Sequence, residues 1–406
     1  MQSDRGSFAG KGRTGTGEPN MLKYKGKPAK RLFDLSDGVY LRTGNVSKCA
    51  LPVQEGIERF VRKWRRGDAC WPAYEAAFEG AVRTFANLIN APAGSVCTLE
   101  NTSMGISMAA QLIAPPPGSN VVVDDLTHPS NILPWSTRAD VEVRYATSAD
   151  GAVDPQAIAE LVDERTAAVD VCHVSMAIGF RHDLDALAEL AHAAGAYLVV
   201  DAAQSAGLVP IDVQASGVDF LACPSFKWLH GTLGAGFLYV KPGLSTLGPP
   251  PIPGWMAARD PQNFAIRDIM LHEDARRLQR GVNNGVGLVA VEEGMNMLME
   301  VGPDRIWRHV SDLATQLHDG LVELGLAVRS PGNAAERAGI VTVAVEDTRE
   351  AVVNLYHEGI HPGPYIPGEL RLDIAFYHDR EDIERTLAAF KKAVVNKRQR
   401  TGAARR

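Results

Sequence analysis

The sequence predicts an α/β protein built on a mainly parallel sheet, and three features carry that prediction. Between Val96 and Val240, short wholly apolar runs alternate with amphipathic stretches, the pattern of buried parallel strands joined by right-handed helical crossovers. Two of these runs, Tyr197–Val200 and Phe220–Cys223, lead to Asp201 and Lys227, so an acid and an amine fall at the carboxyl ends of neighbouring strands. The 406 residues suffice for one large and one small domain.

Taken in order, residues 1–30 are Gly-rich, polar and basic, and read as a flexible arm. Within them Gly10-Lys11-Gly12-Arg13-Thr14-Gly15 spells G-x-G-x-x-G, but no strand precedes it and no helical pattern follows, which rules out a dinucleotide loop. A strand at Val39–Leu41 and a loop through Asn45, by itself a polar turn residue, lead to a helix near Gln54–Arg66. The spacing of Phe78, Val82, Phe85, Leu88 and Ile89 predicts an amphipathic helix over Tyr74–Asn90. Strand Val96–Leu99 then runs through Glu100-Asn101-Thr102-Ser103-Met104-Gly105 into a helix reaching Ile113. Free N–H groups, a helix dipole and two hydroxyls at such a turn suit a phosphate monoester, although the same turn also serves as a plain N-cap.

After strand Val121–Val123, His128 reads as the cap of a helix whose first residue is Pro129. Strand Val141–Tyr145, helix Gln156–Glu164, strand Ala168–His173 and helix Leu184–Ala194 return the chain to Tyr197. Beyond Gly236–Val240, helices Gly287–Val301 and Asp304–Leu324 lead to a smaller domain with strands Leu326–Ser330, Ile340–Val345 and Leu370–Ala375. His357-Glu358-Gly359-Ile360-His361 spells H-E-x-x-H, but Gly359 and Pro362 end the helix begun near Thr348, so the histidines do not share a helix face. The Lys- and Arg-rich tail from Lys391 reads as a solvated helix end.

Composition narrows the function. A net charge of −6 with 22% charged residues gives no basic surplus for nucleic acid, and no apolar run approaches a membrane span. The start has no apolar signal region. Five cysteines (Cys49, Cys70, Cys97, Cys172, Cys223) without C-x-x-C spacing suit reduced, buried thiols in a cytoplasmic protein. A lysine and an aspartate in one strand-end crevice are the minimum for pyridoxal 5'-phosphate (PLP): the amine forms the Schiff base and the acid faces the pyridine nitrogen. An apolar setting would lower the Lys227 pKa and ready it for proton transfer.

Three blocks at matching distances, VDAAQSAG, D-F-L-x-C-x-x-x-K-W-L-x-G ending at Gly231, and G-A-G-F-L-Y-V, resemble the class V aminotransferase family. That family groups cysteine desulfurases, kynureninases and isopenicillin-epimerase-like enzymes, and the resemblance runs from about Val39 to about Ala389. It implies PLP fold type I: a large domain over residues 56–290 with a mainly parallel seven-stranded sheet between helices, and a small α+β domain over 291–406 joined by segment 31–55. It also implies that Lys227 carries the cofactor, that Asp201 meets the pyridine nitrogen, and that His128 lies on the ring with a lesser acid–base role. Thr102, Ser103 and Met104 would hold the phosphate, with Ser225 standing in for a neighbour, Phe226, that cannot. Met176 stands where H-V-S-N-x-T-G normally supplies an asparagine, leaving Gln204 as the donor to the phenolic oxygen. Asn283, beside a Val282 that replaces the usual threonine, would serve the phosphate of a neighbouring subunit, which makes the active unit a homodimer. Arg371 would clamp the α-carboxylate of a small amino-acid substrate; the other reading of Arg371 is a strand arginine paired with Asp373. Asn45 would lie on the substrate side.

The family's desulfurases use a cysteine on a C-terminal-domain loop, and residues 224–406 contain none, which excludes persulfide formation by that route. Cα deprotonation by Lys227 followed by β-elimination from a cysteine S-conjugate is the first expectation. Lincosamide-pathway relatives include both a C–S lyase and a decarboxylating deaminase, so decarboxylation, epimerisation and transamination stay open. A non-catalytic PLP-binding scaffold is the reading of another class; its mark would be loss of Lys227, Asp201 or Arg371, and all three are present. The departures at Met176, Phe226 and Val282 point to specialised, secondary metabolism.

Overall fold

The computed structural model describes residues 21–264, 266–363 and 366–395; the Gly10–Gly15 motif, the rest of segment 1–20 and the tail from 396 lie outside the described residues. Residues 21–30, expected to belong to the arm, instead form a hairpin, β1 (Lys23–Tyr24) with β2 (Lys27–Pro28), whose flanking Leu22 and Ala29 are buried. Two apolar anchors at a two-strand turn are enough to hold a segment whose composition alone suggests freedom. β3 (Val39–Leu41) follows, then helices α1 (Leu51–Trp64) and α2 (Cys70–Leu88).

The sheet strands are β4 (Val96–Leu99), β5 (Asn120–Asp124), β6 (Glu142–Ala146), β7 (Thr166–Cys172), β8 (Tyr197–Asp201), β9 (Phe220–Pro224) and β10 (Gly236–Val240). They form one seven-stranded sheet ordered β4-β10-β9-β8-β7-β5-β6, parallel from β9 to β6, with β10 antiparallel to both its neighbours. Helices α3 (Thr102–Ile113), α4 (Pro129–Ser136), α5 (Pro155–Ala159) and α6 (Leu184–Ala193) are the crossovers between these strands. Both faces are covered, and β5, β8, β9 and β10 are almost wholly buried, which explains their continuous apolar runs. On one face Phe85 of α2 stacks on Phe237 of β10 with ring centroids 4.3 Å apart. On the other, α3 approaches so closely that a Cβ at Gly105 would stand 2.6 Å from the Ala222 Cβ.

α5 is shorter than the periodicity predicts. Asp163 accepts from Asn120 Nδ2 at 2.8 Å, Arg144 Nη1 at 2.9 Å and the Arg165 N–H at 2.9 Å, so the chain leaves the helix to tie itself to the strands.

α7 (Gly285–Val301) and α8 (Pro303–Glu323) lead to β11 (Ile340–Ala344), α9 (Thr348–His357), β12 (Ile360–Pro362), β13 (Glu369–Asp373) and α10 (Arg380–Phe390). β11 pairs antiparallel with β13, and β12 pairs parallel with β3, which joins the N-terminal segment to the C-terminal elements. The expected strand Leu326–Ser330 is a single bridge, Val328 to Val343. α9 stops at His357, Gly359 takes φ +71°, and His361 Nε2 sits 2.8 Å from the Asp37 carbonyl, so the two histidines of the H-E-x-x-H stretch do not share a helix. No group of three metal-ligating side chains occurs among the described residues, and no described helix is long and apolar enough to cross a membrane.

Candidate active site

Parallel strands deliver their carboxyl ends to one edge, and the functional side chains collect there. Asp201 is the last residue of β8, and Lys227 follows Pro224, the end of β9, by one short turn. Thr102, Ser103, His128, Asp201, Gln204 and Lys227 line a cavity of ≈ 170 Å³, with Cys172, Met176 and Phe226 in its wall.

At one end of this cavity α3 begins. Asn101 caps it by accepting the Met104 N–H at 3.0 Å, which leaves the first-turn N–H groups of Thr102 and Ser103 without a partner among the described residues. The buried Thr102 Oγ1 is likewise unpartnered. These donors fit a phosphate.

Asp201, also in the lining, is buried at 4% exposure; its Oδ1 accepts from the Ala203 N–H at 2.7 Å. Burial pushes its carboxyl pKa up, while Lys227 and the Ala203 N–H oppose the shift. Burial in turn lowers the Lys227 pKa, with Asp201 opposing and Arg371 adding to the fall. The Lys227 amine makes no hydrogen bond or ion pair among the described residues; it lies 5.8 Å from the centroid of the Phe226 ring. A shielded, unpaired amine facing a buried carboxylate fits the aldehyde and the pyridinium nitrogen of PLP.

His128 caps α4: its Nδ1 accepts the Ser130 N–H at 3.1 Å and lies 3.0 Å from Ser130 Oγ. A ring nitrogen that accepts carries no proton, so Nε2 is the protonated one. With Nδ1 accepting, the ring carries one proton and no charge, and burial lowers the imidazole pKa, with Asp201 opposing and Lys227 adding to the fall. Ser130 Oγ also meets Ser103 Oγ at 2.7 Å, linking the starts of α3 and α4.

A buried chain of polar groups holds α4 in place. The His128 N–H donates to Cys172 Sγ at 3.3 Å, Cys172 Sγ donates to Asn131 Oδ1 at 3.6 Å, and Asn131 Nδ2 donates to Asp170 at 2.7 Å. Trp135 Nε1 donates to the other Asp170 oxygen at 2.7 Å. Neither Asp170 nor Cys172 is marked by any motif. The available signal was positional: Cys172 ends a parallel strand and pairs in register with Asp201.

Burial pushes the Asp170 pKa up to about 8, helped by Asp201 and Asp124 and opposed by its two donors. An unfolded aspartate titrates near about 3.9, so between these values the folded chain holds the extra proton. This residue's contribution to stability is therefore complete below pH about 4 and is lost as pH rises to about 8, at up to about 1.4 kcal/mol per pH unit. Asp170→Asn should remove that slope. Melting temperatures compared from pH about 6 to about 8.5 should shift in favour of the variant as pH rises; a pH-independent difference would contradict the assignment.

The family model described as aminotransferase class-V matches residues 71–361. A probable cysteine desulfurase of Methanothermobacter thermautotrophicus is 30% identical over 292 residues, covering 70% of this chain and 72% of the relative. The chain belongs to the class V aminotransferase family. An uncharacterized aminotransferase of Bacillus subtilis, YcbU, is 26% identical and covers 91% of this chain and 98% of its own length. The apo structure of cysteine desulfurase from Thermococcus onnurineus NA1 superposes with a TM-score of 0.82 at 25% identity, covering 90% of this chain and 97% of that one. The fold is also that of the cystine C–S lyase C-DES, with a TM-score of 0.80 at 19% identity over 87% of this chain and 97% of that one. This class V chain is thus a PLP-dependent enzyme of fold type I.

Several expected site residues of this class V enzyme stand elsewhere. The Met104 N–H is spent on the Asn101 cap, and Met104 does not line the cavity. Ser225 is fully buried outside the cavity; its hydroxyl donates to the Thr232 carbonyl and braces the turn carrying Lys227, so it is not available to the phosphate. Asn283 lies before α7, with its N–H donating to the Tyr74 hydroxyl at 3.1 Å, and reaches no part of its own chain's cavity. Asn45 donates its N–H to the Arg42 carbonyl at 2.9 Å as a turn residue and does not line the cavity. Gln204 does line it, but its Oε1 accepts from Trp228 Nε1 at 2.8 Å and its Nε2 donates to the Gly44 carbonyl at 2.9 Å, leaving one N–H for a ligand. Arg371 lies outside the cavity lining and pairs with Asp373.

Proposed function

We propose that this enzyme is a C–S lyase that removes a thiol from a cysteine S-conjugate by β-elimination, giving the thiol, pyruvate and ammonium. The observation that carries the reading is the lone, shielded Lys227 amine opposite buried Asp201, with neutral His128 at the same cavity. When bound there, PLP supplies an electron sink for the pair left at Cα. Lys227 takes the Cα proton; the C–S bond breaks with its electron pair moving to sulfur, which is protonated as the thiol leaves. The unsaturated three-carbon amine that remains takes up one water and divides into pyruvate and ammonium. Asp201 would set a negative charge against the ring nitrogen, the α3 amides and the Thr102 hydroxyl would hold the phosphate, and His128 would lie beside the ring.

Relatives named as cysteine desulfurases support C–S chemistry, while the absence of any cysteine in residues 224–406 argues against a persulfide carried there. The reading includes a cytoplasmic homodimer. An exposed apolar cluster supports the second copy: Trp255 stacks on Phe264 with centroids 6.1 Å apart, beside Ile266 and Met270 at 90% and 63% exposure. The test is to incubate the PLP-loaded protein with S-alkyl cysteines and follow pyruvate and thiol together. Equal amounts of both are expected; carbon dioxide, a racemised amino acid or a keto-acid-dependent amino transfer would replace this reading by decarboxylation, epimerisation or transamination.

A further inference from the structure

Arg371 does not offer a free guanidinium. Arg371 and Asp373 stand two residues apart on β13, so their side chains leave the same face of the strand, and both are buried. Nη2 donates to Asp373 Oδ2 at 3.1 Å, and Nε lies 2.8 Å from Oδ1 in an ion contact poorly aligned for a hydrogen bond. Nη1 donates to the Met176 carbonyl at 3.1 Å. Two guanidinium nitrogens donate hydrogen bonds and the third is in ion contact, so the edge formed by Nε and Nη2 faces Asp373.

The acid is fixed from a second side as well. The Gly44 N–H donates to Asp373 Oδ2 at 2.8 Å, and the Gly44 carbonyl accepts from Gln204 in the cavity wall. A Cβ at Gly44 would stand 3.0 Å from Asp373 Oδ2 and 2.7 Å from Gln204 Oε1, so the loop reaches both groups because that residue has no side chain. Asp373 is thus part of a built network that runs from β13 through the N-terminal loop to two cavity residues, Gln204 and Met176.

We propose that Asp373 is a specificity-determining residue, an internal carboxylate that occupies the binding edge of Arg371 and so removes most of the site's preference for a free α-carboxylate. The inference rests on the reading of the cavity as one for amino compounds, and it names their class: S-conjugates in which the group beside the amine is an amide or ester as readily as a carboxylate. Two physical facts carry it. A carboxylate tethered on the same strand faces Arg371 at a far higher effective concentration than a free substrate can reach. An incoming α-carboxylate would also set a second negative charge beside a buried one, whereas a neutral group would not. Burial pushes the Asp373 pKa up and Arg371 opposes that rise, so losing Arg371 to a substrate would carry a cost at Asp373.

The experiment is a binding titration of the PLP-loaded protein, followed by calorimetry and by the cofactor's visible absorption, with S-methyl-L-cysteine and its amide. These probes differ in one group, a charged carboxylate in the first and a neutral amide of the same size in the second. Wild type is expected to bind the two within about threefold of each other. In Asp373→Asn the carboxylate should gain about tenfold or more over the amide, whose affinity stays within about threefold of wild type and so reports an intact site. Arg371→Gln should cost wild type less than about threefold for the carboxylate, yet erase the whole gain in the Asp373→Asn background. An unchanged ratio in Asp373→Asn, a weakened carboxylate, or a tenfold loss from Arg371→Gln alone would each overturn the proposal. Binding is read without reference to products, so failure of the C–S lyase reading would show as missing pyruvate and thiol while these ratios still decide the role of Asp373.

Discussion

Lys227→Ala is expected to lower turnover by at least about 10⁴-fold and to abolish the visible absorption of covalently held cofactor. Two functions leave with one side chain: the attachment of the cofactor and the base that takes the Cα proton. No described residue is placed to inherit both. His128 also lines the cavity, but its Nε2 carries the proton and its Nδ1 is committed to the Ser130 N–H. Added methylamine should restore part of the turnover to Lys227→Ala, because a free amine can reach the cavity the missing side chain leaves. Retention of the absorption band, or turnover within tenfold of wild type, would remove Lys227 from this role.

Asp201→Ala should lower turnover by about 10²–10³-fold and weaken retention of PLP through dialysis. The carboxylate sits at the end of β8 with only 4% exposure, and a charge placed there by the fold acts at full strength on a neighbouring ring nitrogen. Asp201→Glu keeps the charge but displaces it, so its loss should fall between those of wild type and alanine. The fold should survive either change, because burial already disfavours the charged form and the alanine leaves no unpaired partner except the Ala203 N–H. Turnover of Asp201→Ala within about threefold of wild type would show that the ring nitrogen needs no acid here.

Where the determining forces are local, the sequence was readable. The His128–Pro129 cap, the strand ends at Asp201 and Pro224, and the helix stop at Gly359 all depend on neighbours a few residues away. Thr102 and Ser103 reached the cavity for the same reason: a strand that ends two residues before a helix cap delivers the start of that helix to the strand's carboxyl edge. The failures lie in which partner a polar group takes, a choice that periodicity does not record. Ser225 and Met104 carry suitable groups at suitable positions, but their hydrogen bonds are spent on Thr232 and Asn101. α5 is cut short by Asp163 reaching to β5 and β6, which no periodicity within the helix records.

By itself the sequence determined the alternation of buried strands and helices, the placement of Lys227 and Asp201 at adjacent strand ends, and the cofactor that such a pair implies. Apolar period, caps and turn residues act over a few positions, and their pattern survives in one dimension. Only the tertiary structure decided which polar groups face the cavity and which are consumed. It set Asp170 and Asn131 beneath α4, joined Cys172 to the His128 N–H, and closed Asp373 onto Arg371 through Gly44 of a loop more than three hundred residues away. A buried donor or acceptor must find a partner, and which one it finds is settled by packing between elements far apart in the chain.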